Sequence, residues 1–132
     1  MKVISSQEAA KLIKDNDVVG IGGFATYCAP DELLSGIRNR FLKTSKPQGL
    51  TVITGVCSGD NSAKLQGMNL LAEEGLINVL IAAHFRNAAS IASLVSSNNI
   101  AAYLLPLGAI MNIFRNTAAK NEGFLSKIGL RT

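Results

Sequence analysis

The chain has 132 residues, a formal charge of +4 and a hydrophobic fraction of 48%. This length fits one domain with a buried core, and a charged fraction of only 17% excludes a disordered tail. The chain has no Trp and only 5% aromatic residues, and no basic motif accompanies its scattered positive charge, so we expect no nucleic-acid partner. We also expect no membrane partner, because the longest apolar stretch, around residues 80–83, is far shorter than a membrane span.

The cysteines and the N-terminus indicate the compartment. Cys28 and Cys57 are isolated thiols without the spacing of a metal site, so the sequence predicts no bound metal. A reducing, cytoplasmic location is the simplest interpretation of two unpaired thiols. The N-terminus also lacks the long apolar segment of a signal peptide.

Helical and strand patterns alternate along the chain. Ser5 and Glu8 have the spacing of a capping box and predict the start of a first helix, which Asn16 and Asp17 end. The β-branched segment Val18–Ile21 then predicts a buried strand that opens into a loop containing glycines.

The second half of the pattern repeats this alternation. Pro30 suits the first turn of a helix whose apolar stripe extends to Phe41. The apolar segment Ile77–Ala82 predicts a strand that is covered on both faces. The stripe Ile110, Met111, Ile113 and Phe114 of the last helix is predicted to be core. The other predicted elements are a strand at 50–54, a loop at 55–66, a short helix at 68–72, a helix at 90–95, a strand at 100–105 and a helix at 108–119.

This order of elements predicts the fold class and the position of a ligand site. Strands that alternate with helices favour an α/β fold with an open, mainly parallel sheet and helices on both faces, in a single domain over 1–132. Ligands of such sheets bind beyond the carboxyl ends of the strands. The candidate site therefore consists of the loops 22–30, 55–66, 84–87 and 106–108.

The glycines after the first strand allow three interpretations. Gly20, Gly22 and Ala25 fit the G-x-G-x-x-A pattern of dinucleotide binding, but the next helix begins late and no carboxylate ends the second strand to hold a ribose. The glycines can also serve only to permit a sharp turn. In the third interpretation, Gly22 and Gly23 direct bare N–H groups at a developing negative charge and form an oxyanion hole.

A series of short motifs resembles the first part of the family I CoA-transferases, which include the acetate, propionate and 3-oxoacid CoA-transferases. The resemblance begins with V-V-G-I-G-G-F at 18–24, followed by Ala29-Pro30 and E-L-L at 32–34. It continues with Gly59-Asp60, G-M-N at 67–69, E-G-L at 74–76, Ala83-His84, N-I-A-A-Y-L-L-P-L-G at 99–108, Phe114-Arg115 and I-G-L at 128–130. The shared order of the motifs covers nearly the whole chain.

The resemblance implies transfer of CoA between an acyl-CoA and a short carboxylic acid, with coenzyme A as a substrate and no permanently bound cofactor. In that family a glutamate attacks the thioester and becomes a glutamyl-CoA thioester, which is covalent catalysis. The backbone N–H groups of Gly22, Gly23 and Phe24 are then expected to stabilise the oxyanions. The resemblance further implies substrate binding by five residues: Gly59, Asp60, His84, Leu107 and Gly108.

The sequence also departs from the family pattern. Cys28 stands where the family has a glycine, and Leu107 stands where it has a glutamine. The family nucleophile lies in the second half of the protein, and the string Glu73-Glu74-Gly75 matches a different block, so we do not assign it as the nucleophile. We therefore expect an N-terminal portion that is inactive alone and homo-oligomeric, completed by a C-terminal half or partner subunit. The alternative is a non-catalytic subunit or binding module that pairs with a glutamate-bearing chain.

Three polar residues have a structural and a functional interpretation. His84 suits a structural hydrogen bond better than the orientation of a substrate carboxylate. Cys28 and His84 together would suggest a thiol hydrolase, although nothing in the sequence fixes their geometry. Asp60, within a loop rich in Gly and Ser, is predicted to form a turn rather than to act as an acid or base.

Overall fold

The computed structural model describes residues 3–130 and contains one four-stranded sheet. The strands are β1 Val18–Ile21, β2 Leu50–Thr54, β3 Ile77–Ala82 and β4 Ala101–Leu104, and all neighbours in the order β1-β2-β3-β4 are parallel. The helices are α1 Ser6–Ala10, α2 Asp31–Thr44, α3 Ala89–Ser96 and α4 Leu107–Ala118, with a 3₁₀ helix at Gly67–Leu71. The predicted α/β class and parallel sheet are therefore confirmed.

Local chemistry accounts for the ends of the first two helices. The predicted capping box is present, because the Glu8 N–H donates to the Ser5 hydroxyl and the Ser5 N–H donates to the Glu8 carboxylate. The helix α1 ends at Ala10, earlier than the predicted break at Asn16 and Asp17. The helix α2 begins directly after Pro30, and acidic residues in its first turn favour the positive end of the helix dipole.

The main core lies on one face of the sheet. Alternate residues of β2, including Leu50 and Val52, are fully buried, and Val52 pairs with the equally buried Leu80 of β3. The helices α1 and α2, the 3₁₀ helix and α3 pack in a row against this face. A row on one side is expected where consecutive parallel strands are neighbours, because each crossover is right-handed.

The opposite face is more open. The strand register aligns Gly20, Ile53, Ile81 and Tyr103 on this face, and the ring of Phe114 in α4 lies against Gly20. Helices therefore lie on both faces, as predicted, but coverage is unequal, and Tyr103 is 59% exposed.

The prediction that β3 is covered on both faces is wrong. Asn78 is exposed, and Val79 and Ile81 are only half-buried. The physical reason is that α4 crosses near the carboxyl ends of the strands and leaves the rest of this face uncovered within residues 3–130. None of the helices in this described part combines the length and apolar character needed to cross a bilayer.

Candidate active site

A cleft of about 590 Å³ lies at the carboxyl ends of β1 and β2. It separates the first glycine loop, residues 22–30, from one side of α4. Its lining is apolar apart from backbone groups and consists of Gly20, Ile21, Gly22, Gly23, Phe24, Gly55, Val56, Leu107, Met111 and Phe114. Clefts at this edge are the usual ligand sites of parallel α/β sheets.

The first glycine loop faces this cleft with an open backbone. A Cβ placed on Gly22 would meet nothing within 4 Å, so the approach to its backbone is free. Gly23 has a φ of +116°, a conformation that favours glycine. A Cβ on Gly23 would lie 3.2 Å from the Cα of Ala29. The Phe24 N–H donates to the Tyr27 carbonyl at 3.0 Å, so this N–H already has an acceptor. Of the three predicted donors in this loop, the Phe24 N–H is therefore the one that is already engaged within the loop.

The wall opposite the glycine loop comes from α4. Leu107, Met111 and Phe114 lie at positions i, i+4 and i+7, which places them on one face of the helix. The prediction that Met111 is core is wrong, since it is 41% exposed, whereas its neighbour Ile110 is fully buried. This face of α4 was not identified from the sequence as a lining of the cleft. The i, i+4, i+7 spacing of the three apolar residues after the fourth strand indicates that they share one face of a helix.

The second glycine loop, residues 55–66, packs against the first glycine loop and against the segment around Asn87. The Gly59 N–H donates to the Ala25 carbonyl of the first glycine loop at 2.8 Å. A Cβ on Gly59 would overlap the carbonyl of Asn87, and one on Gly67 would lie 2.5 Å from the carbonyl of Ser58. Gly59 is buried, so the structure gives it a packing role at this junction.

Asn69 binds the backbone of the second glycine loop through its side chain. It was not among the predicted site residues. It is 2% exposed, and its side-chain amide donates to the carbonyls of Ser62 and Lys64 at 2.7 and 3.0 Å. Its side-chain oxygen accepts from the Ser90 N–H at the start of α3. A buried amide with three hydrogen bonds is a strong positioning device, because each lost partner leaves an unsatisfied group.

Asp60 forms the turn that the sequence predicted. Its carboxylate accepts from the N–H and the hydroxyl of Ser62 and lies 3.6 Å from the Lys64 ammonium. The Ser62 hydroxyl is the largest cause that lowers the pKa of Asp60 below its usual value of 3.8. The carboxylate therefore stays ionised and is used within its own loop.

The other two predicted binding residues lie outside the lining of the cleft. The His84 side chain is exposed, and its carbonyl accepts from the Cys57 N–H at 3.2 Å. Gly108 is exposed in the first turn of α4, where its carbonyl accepts from the Asn112 amide at 2.9 Å. The structure thus places Leu107 in the lining of the cleft together with Gly22 and Gly23, whereas His84 and Gly108 do not line it.

The two cysteines occupy contrasting environments. Cys28, in the first glycine loop, is exposed and has a φ of 55°. Cys57, in the second glycine loop, is fully buried, and this burial raises its pKa to about 12. Among residues 3–130 no group of three or more His, Cys, Asp and Glu side chains is placed to hold a metal ion.

The acidic pair before β3 lies at the other end of the sheet. Glu73 accepts from Arg38 at 2.8 Å and forms an ion pair with it, and Glu74 accepts from the Asn99 amide at 2.9 Å. Because both precede the amino end of β3, they face away from the cleft at the carboxyl ends. This position agrees with leaving Glu73 unassigned as a nucleophile.

Fold and cleft together define an α/β protein with an apolar cleft at the carboxyl edge of a parallel sheet. The dinucleotide interpretation lacks its helix, since α2 begins only at Asp31, well after Gly22. A family model described as Coenzyme A transferase matches residues 3–132. The chain belongs to the Coenzyme A transferase family.

Similar proteins extend well beyond the matched region. The chain is 39% identical over 131 residues to a caffeate CoA-transferase of Acetobacterium woodii and 31% identical over 133 residues to the acetate CoA-transferase YdiF of Escherichia coli K12. It covers 25% and 24% of these proteins, so it spans about a quarter of their length. It is 30% identical to one subunit of a probable succinyl-CoA:3-ketoacid coenzyme A transferase from Bacillus subtilis and covers 50% of that subunit.

A solved structure supports the fold directly. The acyl-CoA transferase YdiF of Escherichia coli O157:H7, crystallised as a thioester complex with CoA, superposes with a TM-score of 0.85 at 29% identity. The match covers 98% of this chain and 25% of that protein. The four-stranded sheet and its helices are therefore a shared architecture.

Proposed function

We propose that this chain is the N-terminal portion of an acyl-CoA:carboxylate CoA-transferase and supplies its oxyanion loop. One observation carries the proposal: in a chain of this family, Gly22 and Gly23 border an apolar cleft, with open space in front of Gly22. The acyl-CoA and a short carboxylic acid are the substrates, and coenzyme A is the group exchanged between them.

The chemistry of the proposed step explains why glycines suit this position. A glutamate carboxylate attacks the thioester carbonyl and forms a new carbon–oxygen bond, and the carbonyl electron pair moves to its oxygen. The resulting oxyanion accepts hydrogen bonds from the N–H groups of Gly22 and Gly23 until the carbon–sulfur bond breaks and CoA thiolate leaves. A Cβ on Gly22 would fill the space through which the thioester oxygen approaches.

The nucleophile in this proposal comes from outside the chain. Glu73 is paired with Arg38, and both Glu73 and Glu74 lie at the amino end of the sheet, so neither faces the cleft. The comparison of lengths supports the same view, because this chain covers only 25% and 24% of the two longer relatives, and the rest of their length lies outside the match. We propose that the chain alone transfers no CoA and acts within a homo-oligomeric assembly.

Co-purification from the native cell tests this proposal. A tagged copy of the chain should retain a polypeptide that supplies the glutamate, and the assembly should transfer CoA between acetyl-CoA and a second carboxylate. The chain purified alone should show no transfer. Transfer by the chain alone would place the nucleophile within it, and a native assembly that transfers no CoA would overturn the proposal.

A second candidate is a non-catalytic subunit that pairs with a separate glutamate-bearing chain. The relative in Bacillus subtilis favours it, since that protein is named as one subunit of its enzyme and this chain covers half of it. Mass spectrometry of the co-purified material separates the two candidates. A separate partner polypeptide supports the second candidate, and a longer version of this same chain supports the N-terminal portion.

The acid used by this chain is not given by its relatives. Their names refer to caffeate, acetate and succinyl-CoA with a 3-ketoacid, which differ in size and charge. The proposal therefore rests on the reaction that the relatives share. The identity of the acyl group must be inferred from the lining of the cleft.

A further inference from the structure

We infer that the cleft beside the first glycine loop is the acyl pocket, and that it selects an uncharged acyl group larger than acetyl. Leu107 is the residue that sets this selectivity. The inference rests on the proposed function, since it assigns the substrate class of the same site.

The position of the cleft carries the first step. Gly22, Gly23 and Phe24 form one border, so a thioester carbonyl held by the glycine N–H groups stands at the mouth of the cleft. The acyl chain attached to that carbonyl then extends towards α4. Phe114 also lines the cleft, and its ring packs on the strand β1 at Gly20.

Gly20 in β1 and Gly55, directly after β2, let α4 pack closely over this region. A Cβ on Gly20 would lie 2.9 Å from the Phe114 ring, and one on Gly55 would lie 3.0 Å from Leu107 and 3.1 Å from Met111. The side chains of α4 therefore rest directly on backbone and form a continuous apolar wall. Within this chain the cleft measures about 590 Å³, which leaves room for more than an acetyl group.

The chemistry of the lining determines the charge of the acyl group. Every side chain that this chain contributes to the cleft is apolar, and none of them is a Lys, Arg or His. A second carboxylate, as in a succinyl group, would lose water there without gaining a cation or a hydrogen-bond donor from a side chain. A branched aliphatic or aromatic acyl group instead buries its surface against Leu107, Met111 and Phe114.

Leu107 offers the sharpest test because it lines the cleft and is 43% exposed, so a charged replacement is tolerated by the fold. The experiment uses the native assembly that contains this chain and measures kcat/KM for isovaleryl-CoA, succinyl-CoA and acetyl-CoA. The wild type should prefer isovaleryl-CoA over succinyl-CoA by about a hundredfold, within the range that one apolar pocket achieves.

Leu107→Arg should lower this preference at least about tenfold, because a guanidinium in the cleft pairs with the succinyl carboxylate and opposes an apolar chain. Leu12→Arg is the matched control, since Leu12 is 70% exposed, lies just after α1 and does not line the cleft. It adds the same charge and should leave the preference unchanged. Leu107→Met, which keeps the apolar character, should retain the wild-type preference.

Four outcomes would overturn the inference, and they differ in what else they affect. Transfer from acetyl-CoA with succinyl-CoA preferred over isovaleryl-CoA, or equal preferences in Leu107→Arg and Leu12→Arg, removes the acyl pocket but leaves the proposed function intact. Loss of the co-purifying polypeptide and of all transfer in Leu107→Arg, but not in Leu12→Arg, shows that the cleft is an assembly surface. Absence of transfer from all three thioesters removes the proposed function and the inference together.

Discussion

The two glycine loops follow neighbouring parallel strands, but they use glycine for opposite reasons. In the first glycine loop, Gly22 is exposed and faces open space, so the missing side chain leaves the backbone accessible. In the second, Gly59 is buried, and a Cβ there would overlap the carbonyl of Asn87. The first loop leaves its backbone accessible, and the second packs against the surrounding loops.

This difference shows that a glycine-containing loop at the carboxyl edge of a sheet is not by itself a binding loop. The surroundings decide, because the same absent Cβ either exposes an N–H group or permits close packing. The hydrogen bond from Gly59 to the Ala25 carbonyl also shows that the two loops act together, since the packed loop fixes the accessible one.

The largest expected contrast between the loops is in cysteine reactivity. At pH 8, a thiol with a pKa of about 12 is ionised in only about one molecule in ten thousand, and Cys57 is also buried. Iodoacetamide should therefore label the exposed Cys28 and leave Cys57 unmodified, as measured by mass spectrometry of peptides. Both thiols should react in denaturant, which is the control. Equal labelling in the native protein would show that the second glycine loop is open.

Gly59→Ala should cause the largest loss of stability. The new Cβ overlaps the Asn87 carbonyl at a buried position, so the free energy of unfolding should fall by about 3 kcal/mol. Chemical denaturation measures this change. Gly108→Ala is the matched control, because a Cβ there meets nothing within 4 Å and alanine favours a helix. Similar stability of both variants would contradict the packing role of Gly59.

Gly22→Ala should affect activity rather than folding. Its Cβ has no neighbour within 4 Å, so the free energy of unfolding should change by less than about 0.5 kcal/mol. In the native assembly, CoA transfer should fall about a hundredfold, because the added methyl group keeps the thioester oxygen away from the backbone N–H groups and so weakens their hydrogen bonds. Ser93→Ala, at an exposed position on α3, should leave both quantities unchanged. Full activity in Gly22→Ala would remove the oxyanion role from this loop.

The smallest expected effect concerns the turn at Asp60. Its pKa is lowered in the folded state, so the carboxylate contributes stability above the usual pKa of 3.8, and this contribution is lost as the pH falls through the lowered value. Ser62→Ala removes the hydroxyl hydrogen bond that is the largest cause of the lowered pKa. The pKa of Asp60 should therefore return towards 3.8 in an NMR titration. A wild-type Asp60 that titrates at 3.8 or above would contradict the turn geometry.

Most of the fold was predictable because the local patterns are strong. The strands β1, β2 and β3 have the predicted bounds, and the capping box at Ser5 forms as its spacing indicates. The exposure of β3 on one face was not predictable, because an apolar strand has the same sequence whether one helix or several cover it. The length of α1 also differed, since the chain leaves the helix after Ala10.

The candidate site was predictable in part. The order of motifs indicated Gly22, Gly23 and Leu107, and the structure places these three around one cleft. Met111 was misassigned to the core, because helical spacing identifies an apolar face without showing what that face contacts. Asn69 was missed for a similar reason, since its three hydrogen bonds join segments that are distant in sequence.

The sequence alone determined the class of fold, the strand and helix order and the family, because these depend on periodicity, turn residues and the order of motifs along the chain. The tertiary structure alone decided which glycines are accessible, which face of α4 lines the cleft and which polar groups are already paired. Those properties depend on atoms from separate segments that meet only after folding. Gly22 and Gly59 illustrate the distinction, since the same residue type becomes a candidate donor in one loop and a packing element in the other.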